Sequence, residues 1–266
     1  MSDSPADPTL ADDLAVALTL AAEADLIAMD RYRSQDLGIQ LKADKSIVTD
    51  ADTRVERMIR DHLEKARPHD AVLGEEFGSA GDSRRQWIID PIDGTSNFAR
   101  GVPIWGALIA LAIDGVPAVG VVSAPALGRR WWAATGHGAW VQHDGGDARP
   151  LRVSAVAALE DATLSYNNLQ TWDQYGYLDR LIGLSRAVGR TRAFGDLWAY
   201  MLLAEGAIDI AGEFDVKPWD VAALVPIITE AGGRVTTATG TERLDELSVI
   251  ATNGVLHDEV LERLRG

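Results

Sequence analysis

The chain has 266 residues, of which 47% are apolar, no cysteine, and a formal net charge of −15 from 40 acids against 25 bases. A packed globular protein is expected rather than a disordered one, and disulfides, thiol catalysis and cysteine-bound zinc are excluded, which fits a reducing cytoplasm. The acidic excess repels phosphate backbones, so nucleic acid is not an expected partner; no apolar run reaches the ~18 residues of a membrane span, and no secretory signal pattern opens the chain.

The first nine residues, MSDSPADPT, read as a loose polar tail. Leu14, Ala17, Leu18 and Ala21 then repeat at helical spacing and predict a helix over residues 10–32. Val55, Met58, Ile59 and Leu63 predict a second, opening near Asp50 with Thr49 and Asp52 at capping-box spacing and ending at Arg67-Pro68. Short strands are expected at 71–74 and 87–90, the latter stopped by Pro91. Apolar runs at 104–113 and 116–123, joined by Asp114-Gly115, make a hairpin, with further strands of one antiparallel sheet at 130–134 and 139–142.

The polar segment HDGGDARP (143–150) is the expected boundary. It divides residues 1–145, helices packed on an antiparallel sheet, from residues 146–266, an α/β subdomain. In the second part helices are predicted at 178–185 and 197–205 and strands at 207–211, 234–237 and 248–252. Val221, Leu224, Val225 and Ile228 mark one more helix, ended by Gly232-Gly233. The five histidines lie in polar surroundings and are expected at the surface.

The chemistry concentrates in Asp90-Pro91-Ile92-Asp93-Gly94-Thr95. Two carboxylates leave a strand end together and repel one another unless a cation lies between them, and hard divalent ions prefer such oxygen donors. Gly94 allows close approach of a ligand, and the N–H groups opening the next helix suit phosphate oxygens. An ordinary Asx turn is the plainer reading of a lone DxxDG. Gly74-Glu75-Glu76 places acids at another strand end, where a solvated pair is the plainer reading. Asp220, after Trp219, and Asp52 can each be explained as helix caps. It is their joint occurrence that points to a metal-assisted site.

Four blocks in order, VTDADTRVE (48–56), GEE (74–76), DPIDGTSNF (90–98) and WDVAAL (219–224), make the sequence resemble the inositol monophosphatase superfamily of Mg²⁺-dependent, lithium-sensitive phosphatases. The resemblance spans nearly the whole chain. It implies a layered α-β-α-β-α sandwich of mixed α+β and α/β character, assembled as a homodimer, with two to three Mg²⁺ per site. It also implies that Glu75, Asp90 and the Ile92 carbonyl hold one metal and that Asp90, Asp93 and Asp220 hold another. Asp52 and Thr95 would position and deprotonate the attacking water, and the backbone around Gly94 and Thr95 would hold the phosphate. Ser96 belongs to the same loop.

Within the superfamily the blocks RGVPIWGALIAL (100–111), GRRWWAATGHGAW (128–140) and RAFGDLWAYMLLAEGAIDIAGE (192–213) resemble histidinol-phosphate phosphatases of actinobacterial type. Such a substrate carries an ammonium group, so acids beyond the metal ligands are expected to line its pocket. Asp196, Glu213 and Asp215 are the candidates, Glu213 matching the position where the family contacts the leaving group, and Arg192 is expected to orient Asp196. Ser96, where such relatives carry lysine, and Lys217, a base among these acids, leave open inositol-1-phosphate or another sugar or polyol phosphate. A non-catalytic metal- or phosphate-binding protein is the alternative of a different class.

Overall fold

The computed structural model describes residues 8–34, 36–42, 47–243 and 246–265, so most of the expected polar tail lies outside the described residues. Helices α1 (Leu10–Arg31) and α2 (Asp50–Ala66) both open on capping boxes, Thr9 with Asp12 and Thr49 with Asp52. Each box satisfies backbone N–H groups that a helix start leaves without partners. Between the helices β1 (Gln40–Leu41) and β2 (Ile47–Val48) pair antiparallel.

The large sheet is built from β3 (Ala71–Gly74), β4 (Gly78–Ala80), β5 (Arg85–Asp93), β6 (Gly106–Ile113), β7 (Val116–Ala124), β8 (Arg129–Ala134), β9 (Ala139–His143) and β10 (Arg149–Pro150). Its order is β10-β9-β8-β7-β6-β5-β3-β4, and the short helix α3 (Thr95–Ala99) follows β5. The expected hairpin at Asp114-Gly115 is present. Two expectations are corrected. The sheet is not wholly antiparallel, because β3 runs parallel to β5, with Gly74 opposite Ile89. Nor does Pro91 end the strand: β5 continues to Asp93, with a register shift between Asp90 and Asp93. A bulge tolerates a residue without an N–H, and it kinks the strand just where the acids lie.

Side chains of β6 alternate between two cores, as a strand buried on both faces requires. Ala107, Ile109 and Leu111 pack toward α1 and α2 with Trp87 and Val121. Leu108, Ala110 and Ala112 join Trp131 and a second layer of helices, α6 (Asp196–Ala204), α7 (Pro218–Val221) and α8 (Leu224–Glu230). A continuous helix over 221–231 is not formed. Pro226 cannot donate to Ala222 and its ring crowds that carbonyl, so the chain breaks between α7 and α8.

On the far side of this helical layer lies a five-stranded sheet of order β12-β11-β13-β15-β14. Its strands are β11 (Thr163–Tyr166), β12 (Arg190–Arg192), β13 (Ile210–Phe214), β14 (Arg234–Thr236) and β15 (Ser248–Thr252). Its outer face is covered by α4 (Leu169–Gln174), α5 (Leu178–Ala187) and α9 (His257–Arg265). The layers are therefore α-β-α-β-α. β13 starts later than the strand expected at 207–211, because Ala207 N–H closes α6 on Leu202 and Asp209 is occupied by Ser154 and Thr163. His257 corrects the surface reading of the histidines. It is 0% exposed, its ring lies between Thr236 Oγ1 (2.9 Å) and Thr252 Oγ1 (3.1 Å), and burial depresses its pKa to about 4. Among the described residues no helix is long and apolar enough to cross a membrane.

Candidate active site

The acids converge because of strand direction. Parallel pairing of β3 and β5 brings the residue after β3, Glu75, to the same end of the sheet as Asp90, and the Glu75 N–H bonds the Ile89 carbonyl at 3.2 Å. The bulge after Asp90 then adds Asp93. From the other half of the chain α7 supplies Asp220, whose Oδ2 accepts the Lys217 N–H at 2.7 Å. Ligand oxygens of Asp90, Asp93 and Asp220 all lie within 4.8 Å of one another. Asp90 is only 3% exposed, and its Oδ1 accepts the Ile92 N–H at 2.9 Å. Asp93 Oδ2 accepts the Leu197 N–H at 2.6 Å, tying the end of β5 to the start of α6.

Electrostatics show what this arrangement needs. Burial, then the charges of Glu75, Asp93 and Asp220, hold the Asp90 carboxyl well above the usual range. Burial followed by Asp196 and Asp220 does the same to Asp93. Asp220 is pushed up to about 7, by burial first and by Glu75 and Asp196 in part. Clustered buried carboxylates of this kind are stable only when protonated or bound to cations. The donor set is all oxygen, which suits a hard divalent ion. A terminal ammonium already illustrates the demand: Lys42 Nζ donates to Glu75 and Glu76, 2.7 Å from each.

Beside the cluster, α2 presents Asp52, 0% exposed. Its Oδ2 accepts from Thr49 N (2.8 Å) and Thr49 Oγ1 (2.5 Å), while Oδ1 faces Thr95 Oγ1 at 3.2 Å. Burial pushes Asp52 up to about 6, with Glu75 adding to the rise. Asp52 is thus both a capping residue and a site residue. Thr95 Oγ1 also lies 2.9 Å from the Ile92 carbonyl, and Ser96 is exposed on the same short helix. Gly94 caps that helix at φ +81°, and a Cβ there would come within 2.9 Å of the Ile104 carbonyl. Phe98 anchors α3 from below, edge-on to Trp105 with ring centroids 4.8 Å apart.

A second acidic pair flanks the first. Asp196 is the first residue of α6, at φ +45° after Gly195, a conformation uncommon for a residue with a side chain. Its Oδ2 accepts from Asn97 Nδ2 at 2.9 Å, and the same amide donates to the Ile104 carbonyl. Glu213, 6% exposed, is hydrogen-bonded by Tyr200 and Asn167, and burial with Asp220 and Asp196 pushes it up to about 8. Arg192 does not orient Asp196: it is exposed at the end of β12 and donates to the Thr191 carbonyl. Lys217 Nζ donates to Asp215 at 3.1 Å, so these two charges pair outside the cluster. Asn97, Asn167, Tyr200 and Lys42 are site residues that the sequence reading misses. Asn97 stands within DPIDGTSNF and Tyr200 within RAFGDLWAYMLLAEGAIDIAGE, but Asn167 and Lys42 lie in none of the blocks that carry the resemblance.

The layered fold carries a cluster of acids that could hold a metal, and residues 10–266 match the inositol monophosphatase family, a family of phosphatases to which the chain belongs. Among its relatives is the histidinol-phosphatase of Mycobacterium tuberculosis, 54% identical over 254 residues that span 95% of this chain and 98% of the relative. The histidinol-phosphatase of Streptomyces coelicolor is 49% identical over 258 residues, 96% of this chain and 97% of the relative. Among solved structures, the extragenic suppressor protein suhB of Bartonella henselae superposes with a TM-score of 0.87 at 31% identity, covering 95% of this chain and 98% of that one.

Proposed function

We propose that the chain is a Mg²⁺-dependent phosphoric monoester hydrolase that converts L-histidinol phosphate to L-histidinol and phosphate, within histidine biosynthesis. The observation that carries the substrate is the second acidic pair. Asp196, half-buried, and Glu213, buried, flank the acids read as metal ligands, where a cationic alcohol would find complementary charge. Kinship with two histidinol-phosphatases supports the same assignment.

Glu75, Asp90, Asp93, Asp220 and the Ile92 carbonyl would hold two to three Mg²⁺. Bound there, the ions would neutralise the ester's charge, acidify a water and stabilise the leaving alkoxide. The protein's own groups complete the reaction. The N–H groups around Gly94 and Thr95 hold the phosphate oxygens, with Ser96 at the rim. Thr95, able to donate and accept at one oxygen, orients the attacking water. Asp52 takes its proton, and its raised pKa suits a base working near neutrality. Asp196 and Glu213 receive the ammonium and imidazole of the leaving alcohol, while Arg192, exposed at the edge of the smaller sheet, plays no part in that contact. Lithium would inhibit by competing for the acid cluster.

Asn97, Asn167 and Tyr200 favour a second reading, since neutral hydrogen-bonding groups also suit the hydroxyls of inositol-1-phosphate or another polyol ester. Initial rates of phosphate release with Mg²⁺ from the two esters separate the readings. A preference of about a hundredfold for histidinol phosphate, about 2.7 kcal/mol in the transition state, is expected. A preference for the inositol ester refutes the substrate, and no release from any ester refutes the enzyme. A cytoplasmic homodimer completes the proposal, and light scattering should return twice the 28.6 kDa chain mass.

A further inference from the structure

A buried acid that the reaction does not use lies one helical turn beyond Asp52. Glu56 on α2 is 0% exposed. One carboxylate oxygen, Oε2, accepts the Glu76 N–H at 2.7 Å, and the other accepts the Phe77 N–H at 3.2 Å. Arg60, a further turn along α2, donates Nε to Glu56 Oε1 at 2.8 Å, and its NH2 group donates to the Gly78 carbonyl. The guanidinium groups of Arg57 and Arg60 lie 5.5 and 5.9 Å from the centre of the Phe77 ring. The turn that follows β3 is therefore gripped from α2 at three consecutive residues, 76 to 78.

We propose that Glu56 is a positioning residue for the metal ligand Glu75: its carboxylate clamps the 75–77 turn to α2, so that one rigid helix sets both Asp52 and Glu75. This inference rests on the reading of Glu75 as a metal ligand. Residues 52, 56 and 60 follow the i, i+4, i+8 spacing of one helix face. The bonds are charge-assisted and converge on a carboxylate that is itself shielded from water, so the turn has little freedom to swing Glu75 away. A carboxylate buried this completely is retained only with such partners, and here the partners are the backbone of the turn itself.

The opposite side of the contact gives an independent perturbation. A Cβ placed on Gly74 would come within 2.1 Å of Glu56 Oε1, while Gly74 itself is not at positive φ. Gly74→Ala therefore strains no backbone and acts by driving the Glu56 carboxylate from its place. Two substitutions on different elements, Glu56→Gln and Gly74→Ala, should produce one phenotype.

The test is calorimetric titration of Mn²⁺ into the purified full-length protein and its two variants, alongside the Mg²⁺ dependence of phosphate release. Mn²⁺ affinity should fall about 10- to 100-fold in both variants, the range seen when outer partners of a metal ligand are lost. The half-saturating Mg²⁺ concentration should rise in parallel, while kcat at saturating Mg²⁺ returns to within a few-fold of wild type. A purely structural role for Glu56 would leave that split unmoved. Should Glu56→Gln fail to fold, Gly74→Ala, which adds one methyl group, decides alone. Wild-type Mn²⁺ affinity in folded variants overturns the clamp while leaving the phosphatase reading intact. A wild-type protein that binds no Mn²⁺ overturns both.

Discussion

Raising the pH of the metal-free protein should loosen it, and the acid cluster sets the size of the effect. Glu213 is pushed up to about 8 by burial and by Asp220 and Asp196, against an ordinary value of 4.5. Above about pH 6.5 the unfolded chain has released this proton and the folded protein still holds it. Stability from this group is therefore complete below the unfolded pKa and is lost as pH rises through the folded one. The rate of loss is about 1.36 kcal/mol per pH unit for each such proton. Between about pH 6.5 and 8 Glu213 alone accounts for roughly 2 kcal/mol. His257 works in the opposite sense only below this window. Its pKa is depressed to about 4, so its contribution grows with pH until the unfolded value near 6.5 and is constant beyond. At ~2–4 °C per kcal/mol for a chain of this size, the melting temperature in EDTA should drop by roughly 4–8 °C across the window. Saturating Mg²⁺ should abolish or invert the drop, because its ligands must be deprotonated to bind. Glu213→Gln should lessen it without any metal, removing the share that Glu213 contributes and leaving the part from Asp220, which is pushed up to about 7. A melting temperature in EDTA that holds steady or climbs from pH 6.5 to 8 would falsify this account of the cluster.

Asp93→Asn should keep the folded circular-dichroism spectrum but lower phosphate release by more than the ~100-fold that losing an outer partner costs; near-wild-type rates would remove Asp93 from the metal set. Thr95→Ala should reduce kcat by about 10²- to 10³-fold, as for loss of one aligned polar group, with KM almost unchanged. A rise in KM instead would place Thr95 on the substrate rather than the water. Asp196→Asn should raise KM for histidinol phosphate about tenfold, or about 1.4 kcal/mol, and leave that for inositol-1-phosphate unchanged. Equal losses on both esters would mean that Asp196 does not recognise the ammonium.

What the sequence reveals, and what it conceals, follows from how local each feature is. The hairpin at Asp114-Gly115 and the box formed by Thr49 and Asp52 depend on neighbouring residues, and both are formed where expected. Asp90 and Asp93, two carboxylates leaving one strand end, are likewise legible locally, whereas Asp220, on α7, is joined to them only by the resemblance of WDVAAL to the family; the three do lie together. The parallel β3–β5 pair is hidden, since nothing in residues 71–93 encodes strand direction, yet it is this pairing that sets Glu75 beside Asp90. Pro91 misleads because a proline reads as a stop, whereas a bulge accommodates it within β5. His257 reads as exposed beside Asp258, but its ring is enclosed by threonines from two strands, Thr236 and Thr252. Helical spacing pairs Arg192 with Asp196, although the intervening chain is strand and loop rather than helix. The true partner, Asn97, lies 99 residues away.

The inner core joins Leu108 and Trp131 of the large sheet to Leu197, Ile227 and Val249 from the later half of the chain. A nascent polypeptide that has reached only as far as β10 therefore has one face of its large sheet uncovered, and it still lacks Asp220. Ribosomal synthesis delivers the acids in the order Asp52, Glu75, Asp90, Asp93, Glu213, Asp220. On the proposed reading the acid cluster is completed only when Asp220 emerges, so a product truncated before α7 should be inert toward phosphate esters.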